Sequence, residues 1–188
     1  MKTNVKPTDY DRTFTQARTL CHAVHGEEGK FGLVYMMRCL KKHTVTAVEH
    51  SYGTFAEQEG ELAEHAAAGW EPYMMVAITS EAGHSREIVQ HSWAVAADFD
   101  NGLPKLLESD ELNELICPSY VVATSAGRYH AVWILNAACT SEEMRYLTTV
   151  IQDRLDGDVG FARTNQAVRL PGFLNHKNGD KVKLHGSF

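Results

Sequence analysis

The chain has 188 residues, 44% of them hydrophobic, and carries a formal net charge of −6 at pH 7. That length and apolar content suffice for one buried core, while the acidic balance argues against a protein that grips nucleic acid by overall charge alone. The opening MKTNVKPTDYDRTFTQ has no apolar stretch of signal-peptide type, and no segment approaches the ~18 apolar residues of a membrane span, so a soluble, cytoplasmic protein with no membrane partner is expected.

In chain order, residues 13–25 predict a helix. FGLVYMMRCLK and TVTAVEHS follow as a β-rich pair, forming a hairpin around Lys42-His43. A second helix is expected over 54–68, stopped by Gly69. YMMVAITS then predicts a strand, SEAGHSREIVQH a polar connection, and SWAVAADFD a strongly apolar strand that ends in two acids. After the NGLP turn comes a predicted helix over 105–116, then two strands, SYVVATS and RYHAVWIL, joined by a tight turn at Ala126-Gly127. Thr140-Ser141-Glu142-Glu143 has capping chemistry and opens a helix to about Leu155; a Gly-interrupted loop and a short strand, KVKLHG, complete the order.

From Trp93 onward the succession is strand, helix, strand, strand, helix, strand, which is the split βαβ pattern of ferredoxin-like and RNA-recognition-type (RRM-like) folds. The expectation is an α+β fold in one domain, residues 1–188, with an N-terminal α/β subregion (1–90) ahead of the RRM-like subregion (91–188). No repeat or low-complexity linker divides it. The aromatics Trp93, Tyr120 and Trp133 fall in apolar runs and are expected in the core.

Four cysteines, at 21, 39, 117 and 139, form no CxxC pair, so neither a disulfide framework nor a zinc ribbon is indicated. Cys21/His25 and Cys39/His43 have ligand-like spacing, but the second pair falls in a strand, where residues four apart are roughly 13 Å distant. Ordinary half-buried Cys and His is the better account. The acidity resides in helix-like stretches such as FAEQEGELAEH, whereas the last 28 residues hold Arg163, Arg169, Lys177, Lys181 and Lys183 against Asp180 alone.

Three features carry chemistry. Asp98 and Asp100 end an apolar strand two residues apart, so both project from one face while Phe99 turns into packing. Two adjacent carboxylates repel unless a hard divalent cation lies between them; equally, they could leave the sheet for water or cap the DNGLP turn. The hairpin TSAGRYHAVWIL brings together Ser125, Gly127, Arg128 and His130, a phosphate-handling combination in which His130 alone reads as a satisfied strand histidine. Around the Leu-Pro-Gly-Phe corner, Asp158, Arg169, Asn175, His176 and Lys177 supply a further carboxylate and donors.

Together these motifs resemble the archaeo-eukaryotic primase (AEP) superfamily, and its plasmid RepB-type branch in particular. AVAADFD matches a hydrophobic strand ending in Asp-x-Asp; TSAGRYHAVW matches a TSxGxYHxxW hairpin; RLPGFLNHK matches an RLPGxxNHK segment. The resemblance covers about residues 93–183. Arg128 stands where a small residue is usual, and Gly157 rather than an apolar residue precedes Asp158.

The resemblance implies a primase-polymerase, a nucleotidyltransferase that synthesises or extends primers on single-stranded DNA from NTPs or dNTPs with Mg²⁺ or Mn²⁺. It implies that Asp98, Asp100 and Asp158 hold the metal, with Asp156 in reserve, and that His130 contacts the triphosphate. Arg169, Asn175 and Lys177 would lie near phosphates, with Ser125 and Arg128 completing the nucleotide site. Two metals so held would activate the primer hydroxyl and steady the leaving pyrophosphate. A plasmid or phage setting follows, and a helicase or C-terminal helical module in a longer protein is an expected partner. The alternatives are a metal-dependent nuclease or nucleotidyl cyclase on a similar sheet, and a non-catalytic single-strand-binding module; the His-hydrophobic-His cluster of rolling-circle nickases is missing.

Overall fold

The computed structural model describes residues 7–39, 41–42, 44–103, 117–161 and 163–185. Helix α1 spans Pro7–His25, beginning earlier than the sequence predicts, and Pro7 occupies the first turn, where a missing N–H costs nothing. Strands β1 (Phe31–Arg38) and β2 (Val45–Gly53) form the expected antiparallel hairpin; His43 lies outside the described residues. Helix α2 (Phe55–Ala67) starts at a capping box in which Thr54 accepts from the Glu57 N–H and Glu57 returns a bond to the Thr54 N–H.

The run YMMVAITS does not form one strand. It divides into β3 (Glu71–Met75) and β4 (Ile78–Thr79), which belong to different sheets. Every residue from Glu71 to Ala77 is buried, so the segment shows no alternation that would mark the crossing point. Strand β5 (Val89–Phe99) follows, then β6 (Tyr120–Ser125) and β7 (Arg128–Thr140), joined by the two-residue turn at Ala126-Gly127. The helix expected over 105–116 lies outside the described residues. Helix α3 (Ser141–Leu155) carries the predicted Thr140/Glu143 capping box. Short strands β8 (Ala167–Arg169), β9 (Leu174–Asn175), β10 (Asp180–Lys181) and β11 (Lys183–His185) complete the chain.

Among the described residues there are two main sheets, ordered β2-β1-β3-β8 and β11-β6-β7-β5-β4, and a small β9-β10 hairpin. Their pairings are antiparallel. Strands β5, β7 and β6 stand in the order the split βαβ pattern requires. The last strand does not take the place beside β5: β11 pairs with β6 at the far edge, and β4 flanks β5 only as far as His91.

Beyond His91 the open edge of β5 is closed without a strand. The Ser92 hydroxyl bonds to both the N–H and the carbonyl of Ala94, the Gln166 side-chain amide bonds to both backbone groups of Ala96, and the Asp158 N–H donates to the Asp98 carbonyl at 2.8 Å. Buried backbone groups must be paired, and two side chains and one loop N–H here do the work of a neighbour.

Among the described residues the main hydrophobic core runs between the sheets and under the helices, including Phe31, Leu33, Met74, Ala94–Ala97, Val122 and Val132, and a smaller cluster gathers Val34, Tyr73 and Met75. The small residues of β5 are packed over from α3. Trp133 is buried and Tyr120 half-buried, but Trp93, expected in the core, is 42% exposed, beside the register shift between Ser92 and Ala94 that breaks the alternation of β5. Cys21 is fully buried, and the His25 ring stacks on Phe31 with its Nε2 bonded to the Met75 carbonyl, so this pair is core. No described helix is long and apolar enough to cross a membrane.

Candidate active site

The site forms where β5 ends. Phe99 is buried, as its inward direction requires, while Asp98 is half-buried and Asp100 exposed on the opposite face. Directly across the ladder from Asp98 stands His130 of β7. Its Nε2 lies 3.6 Å from Asp98 Oδ1, and its Nδ1 accepts the Arg169 N–H at 3.3 Å. Because Nδ1 accepts, the ring proton sits on Nε2 and faces the carboxylate. Burial, then the nearby Arg169 charge, pushes the His130 pKa down to about 3, so the ring is neutral.

Asp98 moves the other way. Burial raises its pKa to about 6, with further increments from Asp100 and Asp158, against a lowering by Arg128. Arg128 Nε sits 3.3 Å from Asp100 Oδ1. Gly127 makes this turn possible with φ +70, and its carbonyl accepts the Gly102 N–H, docking the end of β5 on the hairpin. Asp158 is drawn to Asp98 by the backbone bond described above, and its own carboxylate accepts the Gly160 N–H at 2.8 Å. Asp156 instead caps α3 in the left-handed region, exposed at the helix end.

Facing the acids is a cleft of about 690 Å³ between the sheets. Asp98, Asp100, Ser125, Arg128, His130, Arg169, Asn175 and Lys177, all read from sequence, line it together; Asp158 does not. Asn175 is buried and engaged, its amide donating to the Thr124 carbonyl and its Oδ1 accepting the Lys177 N–H, so it pins the β9-β10 hairpin in place. His176 faces a different groove, with Trp70 and Phe173.

Sequence reasoning missed the opposite wall. Arg38 of β1 and Tyr73 of β3 also line the cleft, and Arg169 is held there by Glu71, whose Oε2 accepts from Arg169 Nη1 at 2.9 Å and Arg38 Nε at 2.8 Å. The Arg169 guanidinium lies over the Tyr73 ring, 4.7 Å from its centroid. Burial alone would raise the Glu71 carboxyl, but the two arginines overcome it and hold the pKa below the ordinary value. The available signal was an acid opening the apolar strand EPYMM, since a buried acid needs buried cations.

Asp98, with Asp100 and Asp158 close enough to raise its proton affinity, forms with them a hard-oxygen donor set whose chemistry suits a hard divalent ion. As they stand, no three metal-type side chains among the described residues converge as a bound ion would require.

The family model described as the RepB DNA-primase N-terminal domain matches residues 62–186. The AEP domain of the cyanophage S-2L primase-polymerase aligns with a TM-score of 0.72 at 12% identity, over 93% of this chain and 90% of that one. The catalytic domain of primase RepB′ in complex with initiator DNA aligns at 0.68 with 20% identity, over 94% of this chain and 86% of that one. A further RepB′ structure gives the same score, with 57% of its chain covered. At these identities the alignments establish the α+β AEP fold. No curated protein matches. The family match spans well over half of the chain, which therefore belongs to the RepB-type DNA-primase N-terminal domain family.

Proposed function

We propose that this chain is a single catalytic unit that performs DNA-templated nucleotidyl transfer, synthesising or extending primers on a single-stranded template from NTPs or dNTPs. The observation that carries the reading is the meeting of Asp98 and Asp100 with His130, Arg128 and Arg169 in one cleft. Phosphoryl transfer needs little covalent help from protein; it needs positioning and charge stabilisation. Asp98, Asp100 and Asp158 would hold two Mg²⁺ or Mn²⁺ ions, whose chemistry when bound is to lower the pKa of the primer 3′-hydroxyl and neutralise the departing pyrophosphate.

The protein's own groups supply the rest. Neutral His130 presents Nε2–H to a triphosphate oxygen, with its tautomer locked by the Arg169 N–H. Arg169 and Lys177 add positive charge where negative charge builds on the leaving phosphates. Arg128, tethered to Asp100, orients that carboxylate. Ser125 offers a hydroxyl at the hairpin edge. The engaged amide of Asn175 acts by shaping the lysine-bearing turn. A helicase or helical module in a longer protein would complement this core in initiation.

A gel assay tests the reading: single-stranded template, labelled nucleotides and Mn²⁺ or Mg²⁺, with and without primer. Asp98→Ala plus Asp100→Ala should lower synthesis at least about a hundredfold, given the charge stabilisation lost, with an unchanged circular dichroism spectrum. Undiminished product from that folded variant would refute the assignment, and shortened template or cyclised nucleotide would move it to a nuclease or cyclase.

A further inference from the structure

Glu71 is 1% exposed, at the start of β3. A carboxylate so enclosed is unfavourable unless cations and hydrogen bonds replace its water. Arg38, Arg169 and the Tyr73 hydroxyl all donate to it, and all to the same oxygen, Oε2. Oε1 is buried with no hydrogen-bond partner. Neither guanidinium therefore makes the two-pronged grip across both oxygens that gives the strongest arginine–carboxylate pair. What the shared oxygen achieves is to draw two guanidiniums from two strands onto one spot.

That spot faces the cleft. Arg38, Arg169 and Tyr73 line it, whereas Glu71 stands behind them and does not. Two positive charges against one negative leave this wall net positive. The Tyr73 ring beneath Arg169 fixes the plane of the guanidinium. The same wall reaches the reacting end, because the Arg169 N–H fixes His130, which faces Asp98. Arg38 also lies outside the residues the family model matches, so nothing in the family assignment accounts for it.

We propose that Arg38 and Arg169, held on Glu71, form a subsite for the terminal phosphates of the incoming nucleoside triphosphate. Glu71 is a positioning residue that never touches the nucleotide; it presets two cations so that binding need not assemble them. This rests on the nucleotidyl-transfer reading above. The subsite distinguishes a triphosphate from a monophosphate, which does not extend to this wall.

The test is calorimetric titration of the full chain with deoxyadenosine tri-, di- and monophosphate in Mn²⁺, beside primer-extension kinetics. Arg38→Met should weaken the triphosphate at least tenfold and the monophosphate less than twofold. Glu71→Gln should raise the nucleotide KM at least fivefold with kcat within threefold, and should add less in the Arg38→Met background than alone, since it acts through the arginines. Equal losses for all three nucleotides in Arg38→Met, or none, would overturn the subsite. A lower melting temperature with unchanged KM in Glu71→Gln would reduce Glu71 to a structural residue. Should Glu71→Gln fail to fold, Arg38→Met decides alone, because half-buried Arg38 ends its strand. If Arg38→Met binds normally in an enzyme that Asp98→Ala inactivates, only the subsite fails; a wild type that neither binds the triphosphate nor extends primers fails the nucleotidyl-transfer reading itself.

Discussion

Replacing Gln166 with leucine should destabilise the protein far more than the similar volume suggests. The side chain is 2% exposed and spends its amide on four partners: Oε1 accepts the Ala96 N–H at 3.1 Å, and Nε2 lies 3.0 Å from each of the Ala96 carbonyl, the Phe161 carbonyl and the Thr148 hydroxyl. Leucine fills the space but leaves both backbone groups of Ala96 buried and unpaired, at about 1–3 kcal/mol each. Better burial of an apolar side chain returns about 1 kcal/mol. The net loss is about 3 kcal/mol, a large share of the ~5–15 kcal/mol that stabilises a typical domain. For a chain of this size it lowers the melting temperature by roughly 10 °C. Urea unfolding followed by circular dichroism measures it, with the slope unchanged and the midpoint lowered. A loss below about 0.5 kcal/mol would mean that the open edge of β5 is satisfied by water and that Gln166 is not its substitute partner.

Acid should weaken the fold through His25. Burial lowers its pKa to about 4, from an ordinary 6.5, so between those values the unfolded chain takes up a proton that the folded one refuses, and stability falls with pH by up to about 3 kcal/mol. His130, lowered for the same reason, contributes in an overlapping window; comparing urea midpoints at pH 7 and 4.5 for wild type and His25→Leu isolates the His25 part, and an unchanged difference would refute it. Gly172→Ala should cost about 2–5 kcal/mol, since a Cβ there would sit 2.4 Å from the Thr13 carbonyl oxygen at φ +94. Gly179→Ala, at φ +80 with open space, should cost only about 1 kcal/mol, and thermal melts showing the two alike would discount the clash.

The elements most legible in the sequence are those with a local physical signature. Thr140 announces its helix because a hydroxyl followed three residues later by a glutamate caps two backbone N–H groups whatever the fold does, and Thr54 with Glu57 carries the same chemistry, which the sequence reading did not use. The Asp98/His130 juxtaposition was reachable because the hairpin turn fixes the register of β7 and the strand period fixes the faces. Trp93 misled because a register shift interrupts the period that the prediction relied on. The division of YMMVAITS between two sheets left no trace, since residues buried on both faces carry no alternation. Arg38 and Gln166 were invisible for a different reason: each matters through a partner 33 to 70 residues away, and the acid opening EPYMM signalled that Glu71 needs cations without saying which.

The position of the acids follows from how β5 is finished. A strand that must hold two carboxylates steady needs a rigid ladder on one side, and β7 supplies it from Tyr129 to Thr140. Were β4 to continue past His91, or a fourth strand to occupy that edge, the space beside Asp98 would be filled by another backbone. Instead the edge is closed piecewise by Ser92, Gln166 and the Asp158 N–H, each satisfying backbone groups without extending a wall. The last of these closures is also the one that brings a third carboxylate alongside. Asp158 is thus placed by a backbone bond to the strand, and the same loop carries on through Gln166 to Arg169, whose N–H fixes His130. The regular ladder places Asp98 opposite His130, and the irregular edge leads on to Arg169, so the candidate site draws on both.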